Sequence, residues 1–276
     1  MRSRRTAAVV LTAMIFWAGL IPAEGAFEDL PENLDWRLNG RYLGRIPADC
    51  WTAWTAPIRW DGNDFLTLAA AAGATGLFLA FDRDLFDWIQ DGKTEASMDA
   101  SPVISKIGNG GYLTAFLAVL YGGGEIFDSR SVRKTALVGF ESFLAASAMV
   151  TAIKIVVGRA RPYAGEGPAS YHPFSFKGRY ASFVSGDAAG AFAVAATIAA
   201  NSESFWIDAL AYTAAGLAAV YRVHDRKHWP SDAVAGSLVG YFTARALNAL
   251  NRGGNSLRVS LDAGRDRRSV TLSFFF

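Results

Sequence analysis

The chain has 276 residues, a formal net charge of +2, a hydrophobic fraction of 51% and a mean hydropathy of +0.18. That length admits one large domain or two small ones, and a near-neutral balance without a long basic stripe argues against a nucleic-acid partner. Cys50 stands alone and the three histidines, His172, His224 and His228, are scattered. An intrachain disulfide, a cysteine metal site and a histidine-rich metal centre are therefore not expected.

In chain order, residues 1–25 read as an export signal: "MRSRR" is a basic start, "AAVVLTAMIFWAGLI" an apolar core and "PAEGA" a small-residue exit. This places the protein outside the cytoplasm, in the periplasm or a bacterial membrane, with its working face on the periplasmic side. Residues 26–60 form a tryptophan-rich lead, "DWRLNGRYLGRIPADCWTAWTAPIRWDG", with no long periodic run. It reads as loop and short amphipathic helix, its rings either at a membrane interface or packed on the main domain.

Residues 61–250 hold six Ala/Gly-rich apolar segments, near 65–81, 112–124, 135–153, 188–200, 205–221 and 233–249. They predict an all-α bundle of about six helices, with "DRDLFD", "DSRSVRK" and "NSES" as polar punctuation. A membrane span needs about 20 apolar residues. Several segments are shorter, and Glu141, Asp208 and Arg245 interrupt three of them. A cleaved signal and the basic linker Arg130, Arg133 and Lys134 also give opposite topologies if all three early segments cross. A membrane bundle with one interfacial segment and a periplasmic globule both satisfy the sequence. In residues 251–276, "LRVSL" and "SVTLSFF" alternate around a Gly/Asp/Arg turn, the pattern of a short β-hairpin.

Three polar clusters sit at ends of apolar segments. The first is "KIVVGRARP", with Lys154 and Arg161–Pro162; the second is "SFVSGDAAG", with Ser185, Gly186 and Asp187 opening a helix; the third is Arg222, His228 and Asp232. Together they suggest a phosphate site. Two arginines offer forked donors and the lysine a point charge for a tetrahedral dianion. Ser185 and the N–H groups near Gly186 lie at a helix N-terminus, where anions are favoured. A neutral, oriented His228 can attack phosphorus, and Asp232, one helical turn on, can hold its other ring nitrogen. Singly, each residue is as well explained as a helix flank, an N-cap or a solvated loop residue.

The pattern Lys–x6–Arg–Pro, Ser–Gly, Arg–x5–His–x3–Asp resembles the type-2 phosphatidic acid phosphatase superfamily. That group includes periplasmic acid phosphatases, membrane lipid phosphatases and vanadium haloperoxidases. The resemblance spans about residues 60–250. It implies a helical bundle and hydrolysis through a phosphohistidine, with no metal or other cofactor. On it, Lys154, Arg161, Arg222, Ser185 and Gly186 bind phosphate, His228 is the nucleophile and Asp232 orients it. The chain departs from the pattern in the middle motif, usually Pro–Ser–Gly–His, where Val184 and Asp187 replace proline and histidine. The missing histidine is the family's acid for the leaving group, so Asp187 is the candidate acid, with helix capping as its plainer role. His224 and His172 are possible substitutes, and more simply loop residues. A leaving phosphate, which needs little protonation, suits Asp187 better than an alkoxide.

The apolar helices and aromatic lead favour a phosphorylated lipid at a membrane surface or in the bilayer over a small soluble phosphoester. A broad-specificity periplasmic acid phosphatase is the alternative, ahead of a vanadate-dependent haloperoxidase or a non-catalytic phosphate-binding protein.

Overall fold

A computed structural model of the chain describes residues 36–55 and 62–251, together with the backbone of 258–264 and 267–273. Among the described residues there are nine α-helices: α1 Gly40–Trp54, α2 Gly62–Ala80, α3 Asp82–Asp91, α4 Glu95–Ile104, α5 Gly110–Ile126, α6 Arg130–Val157, α7 Gly186–Asn201, α8 Phe205–His224 and α9 Pro230–Leu250. The proposed signal and residues 26–35 lie outside the described residues. The expected C-terminal hairpin concerns the backbone-only segments and stays an expectation.

All six apolar segments are helices, and side-chain capping sets several of the helix starts. Asn39, Asn109, Ser129 and Ser185 each accept a backbone N–H of the first turn with the side chain, and Thr94 and Ser97 form a reciprocal capping box. Pro230 opens α9, where its missing N–H costs nothing. "DRDLFD" is not punctuation but the start of α3, and α4 follows it. Both are short. α4 docks through serines rather than an apolar stripe: Ser97 lies 3.2 Å from His224, and Ser101 and Ser105 donate to Asp225 at 2.5 and 2.6 Å.

The lead segment carries α1, which packs on the bundle. Trp36 and Tyr42 bury against Leu137 and Val138 of α6, and Cys50 and Ala53 against Ala145 and Leu247. Tyr42 donates to the buried Glu141 at 3.1 Å, so the charge that interrupts α6 has a partner. Trp51 remains exposed.

At the centre lies α7, built of alanine and glycine with most of its surface buried against α6, α8 and α9. Its closest neighbour is α9. A Cβ added at Gly236 would run into the Ser185 carbonyl, and one at Gly240 into the Ala189 carbonyl. The helices thus touch backbone to backbone, which only small residues permit. Among the described residues one helix, α6, is long and apolar enough to cross a membrane, and half of its apolar stretch is buried. Residues Phe65–Ala80 with α3 meet the same measure across a 64° bend. Large apolar side chains are exposed along α2 (Phe65, Leu66, Leu77), α5 (Phe116, Val119) and α8 (Phe205, Trp206, Leu210).

Filling the α7–α9 contact should be costly. Gly240→Ala is expected to lower unfolding free energy by about 1–3 kcal/mol, the usual cost of overpacking. Gly216→Ala, where α8 offers open space, should be neutral or stabilising by up to about 1 kcal/mol. Denaturant unfolding of both variants in the same detergent or buffer checks the difference.

Candidate active site

The three sequence clusters meet at one end of the bundle. Lys154 sits in the last turn of α6, which ends at Gly158 in the left-handed region (φ 60°). A side chain there would strike the His172 carbonyl, so glycine is required twice over. The chain then pairs with residues 170–172, Ala160 N–H donating to Ser170 O at 2.9 Å and His172 N–H to Gly158 O at 2.7 Å. This strip delivers Arg161. Ser185 caps α7 and its own N–H donates to the Asp232 carbonyl at 2.9 Å, stitching the start of α7 to the start of α9. Arg222 lies in the last turn of α8, and its carbonyl accepts the His228 N–H at 3.2 Å.

All eight expected residues are therefore on adjoining ends of α6, α7, α8 and α9. The Lys154 ammonium is 3.7 Å from where a Gly186 side chain would begin. The Nε donor of Arg161 is buried without a hydrogen-bond partner, and that of Arg222 lies 2.7 Å from Asp187 Oδ2. A cleft of about 220 Å³ opens at Lys154, Gly186 and Asp187, lined also by Gly108, Phe143, Val150 and Thr151. Among the described residues, no group of His, Cys, Asp or Glu is arranged to hold a metal ion.

His228 is 1% exposed, and its Nδ1 lies 2.7 Å from the carbonyl oxygen of Ser182. A carbonyl only accepts, so Nδ1 carries the proton and Nε2 the lone pair. The bond expected from Asp232 is not formed: its nearer oxygen is 3.8 Å from Nδ1. Asp232 instead accepts from Ser182 Oγ at 2.5 Å, the Trp229 N–H at 2.8 Å and Arg159 Nη1 at 2.6 Å. Helical spacing brings Asp232 alongside His228, but Ser182, 46 residues earlier, takes the imidazole proton.

Asp187 forms an ion pair with Arg222, Oδ2 to Nε at 2.7 Å, off the line of a good hydrogen bond. It does not cap α7, since Ser185 does. The other two histidines are engaged elsewhere. His224 lies between Asp225 and Ser97, and His172 contacts Glu166 at 2.7 Å and stacks on Tyr180.

Sequence reasoning missed Asp82, Arg159, Ser182 and Ser231. Arg159 is buried and its Nη2 pairs with Asp82 at 2.6 Å. The signals were present: Arg159 stands inside "KIVVGRARP", and Asp82 opens the stretch read as a separator.

Comparison with known proteins bears on this site. Residues 136–253 match the family model of the PAP2 superfamily. That stretch is similar to the PAP2 superfamily. It holds all eight candidate residues, whereas α1 to α5 precede it. A crystal structure of Aquifex aeolicus LpxE is 22% identical, with a TM-score of 0.49 over 59% of this chain and 92% of that one. A crystal structure of a transmembrane PAP2-type phosphatidylglycerolphosphate phosphatase from Bacillus subtilis is 16% identical, with a TM-score of 0.50 over 68% of this chain and 93% of that one. At 16% identity the second likeness speaks to the fold alone. No curated protein matches the chain.

Within this site, burial pushes the His228 imidazole down to about 4, with Lys154 and Arg161 adding to the effect and Asp232 opposing it. Burial alone would raise Asp232, but Arg159, His228 and Ser182 outweigh it and hold the carboxyl well below the usual range. The pair is thus neutral imidazole beside carboxylate throughout the neutral range. Folding on these terms has a linkage consequence. His228 lowered from about 6.5 to about 4 binds fewer protons than the unfolded chain, so its share of stability is lost as pH falls through that interval. The His228 ring signals in an NMR titration should accordingly stay those of the neutral Nδ1–H form from pH 8 to about 5. An inflection near 6.5 would contradict the buried, carbonyl-bound ring.

Proposed function

We propose that the chain is an exported phosphatase that cleaves phosphate monoesters or pyrophosphates of lipids through a phosphohistidine on His228. The observation that carries this reading is the His228 ring. Its Nδ1–H is spent on the Ser182 carbonyl, which leaves the Nε2 lone pair for a phosphorus atom beside Lys154, Arg161 and Arg222.

On this reading the substrate phosphate lies among those three cations and the first-turn N–H groups of α7, which take up charge developing on its oxygens. Nε2 forms a bond to phosphorus as the bond to the leaving oxygen breaks. That oxygen takes a proton, for which Asp187 is the candidate donor. Water then attacks the phosphohistidine, releasing inorganic phosphate and restoring neutral His228. Asp232 stabilises the positive charge that the ring acquires in between. The cationic cradle supplies the charge stabilisation, so no metal or other cofactor enters the scheme.

Exposed apolar side chains on α2, α5 and α8 support a lipid substrate and a membrane location, and the export signal read in residues 1–25 would put the site on the periplasmic side. The same reading keeps residues 1–25 as signal, 26–60 as lead, 61–250 as the phosphatase domain and 251–276 as a hairpin tail.

His228→Ala is expected to abolish phosphate release from lipid phosphates and to remove the acid-labile phosphate trapped on the wild type. Alanine at Arg161, Arg222 or Lys154 should each lower kcat by about 10²–10³, and EDTA should change nothing. Wild-type turnover in His228→Ala would end the phosphohistidine scheme. Faster release from small soluble phosphates than from any lipid phosphate would favour a broad-specificity acid phosphatase.

Asp187→Asn keeps size and polarity but cannot donate the proton. If Asp187 is the acid, this variant should slow alkyl phosphates far more than p-nitrophenyl phosphate, whose leaving group needs little protonation. Equal losses on both substrates would instead assign Asp187 to holding Arg222.

A further inference from the structure

Arg159 is 1% exposed, and each of its five N–H donors has an acceptor. Nε donates to the Pro168 carbonyl at 2.9 Å, Nη1 to Ser231 Oγ at 2.8 Å and Asp232 Oδ1 at 2.6 Å, and Nη2 to Asp82 Oδ2 at 2.6 Å and Pro168 O at 2.7 Å. Asp82 is closed off in turn, accepting the Ser231 N–H at 2.8 Å and its hydroxyl at 2.6 Å. With its forked cation answered on every side, the group has one arrangement rather than several.

That arrangement ends at the nucleophile. Arg159 takes one oxygen of Asp232, so the other is turned to Ser182 Oγ and the Trp229 N–H. Arg159 also grips Ser182 through the backbone, its carbonyl accepting the Ser182 N–H at 3.0 Å. Ser182 is thereby held by its hydroxyl and by its amide, and its remaining polar atom, the carbonyl oxygen, faces Nδ1 of His228. We infer that Asp82, Arg159 and Ser182 are positioning residues that set the His228 tautomer and hold Asp232 beside the ring. The inference rests on His228 as the nucleophile, and it gives the α2–α3 bend a role: Asp82 is the first residue after it.

A merely structural ion pair would predict a different outcome from a positioning device. In the latter, loosening the chain leaves the phosphate cradle intact but lets the proton move to Nε2, where it blocks attack. The experiment uses the full chain carrying Ser182→Ala, Arg159→Lys or Asp82→Asn, with ¹⁵N-labelled histidine and a soluble phosphomonoester. The His228 ring signals are identified by their loss in His228→Ala.

Each folded variant should lose about 10–100-fold in kcat, the scale on which outer partners of an oriented histidine act. KM should stay within about twofold, since no group that binds phosphate has changed. The ring ¹⁵N shifts should move from a fixed Nδ1–H form to a mixture. Ser182→Ala removes a single hydroxyl and is the variant that decides if the charged-pair variants do not fold. A folded Ser182→Ala with wild-type kcat and ring shifts would overturn the inference, as would a kcat loss with the tautomer unchanged. Activity surviving in His228→Ala would instead defeat the phosphohistidine reading, and the ring shifts of the other variants would still report on the positioning.

Discussion

A buried guanidinium is tolerable only when its charge and its donors are all answered, because desolvation costs several kcal/mol per ion. Arg159 meets that condition with two carboxylates, a hydroxyl and a main-chain carbonyl, and Tyr171 and Trp229 lie near its faces. Its acceptors come from α3, from the loop after α6 and from the start of α9. Those three elements cannot separate without exposing an unpaired charge in the interior, which costs about 3–5 kcal/mol when one partner of such a pair is lost. Trp229 reinforces the same junction, its indole N–H bonded to the Ala160 carbonyl at 2.9 Å and its ring against Phe86 of α3. The mouth of the site is thus set by an ionic lock, while the bundle below it is set by packing.

That packing is unusual in using almost no side chain. Gly236 and Gly240 bring α9 onto the backbone of α7 at Ser185 and Ala189. The close approach has a chemical result at the N-terminus of α7. It lets Ser185 N–H reach the Asp232 carbonyl, so the N-terminus of α7 is tied to the helix that carries Asp232. Gly108 does similar work from the loop before α5, where a side chain would press on Asp187. Small residues at these places determine where the charged ones stand.

The helices and the cradle were legible in the sequence because both leave local marks: long alanine-rich runs for the first, fixed spacings at helix ends for the second. What was not legible depends on partners distant in the chain. The stretch beginning at Asp82 is short and charged, which is how a separator looks, and only Arg159 gives its aspartate a purpose. α4 presents serines to His224 and Asp225, a polar docking without hydrophobic periodicity. The spacing of His228 and Asp232 correctly placed them side by side, but spacing says nothing of Ser182, which takes the imidazole proton. Glu141 looked like a break in a helix until Tyr42 from α1 supplied its partner.

On the proposed reading, Asp187 in the place of the pattern's histidine changes the charge of the cradle as well as its acid. Lys154, Arg161 and Arg222 carry three formal positive charges, and Asp187, paired with Arg222, cancels one. Two remain, matched to a phosphate dianion. On the proposed reading, an arriving dianion must share Arg222 with Asp187. A strong acid is unnecessary if the leaving group is itself a phosphate, as in a pyrophosphate, whereas an alkoxide needs its proton as the bond breaks. On the proposed reading, the residue that departs from the pattern therefore bears on substrate choice: with aspartate as the acid, the site would be better matched to a leaving group that departs as a stable anion.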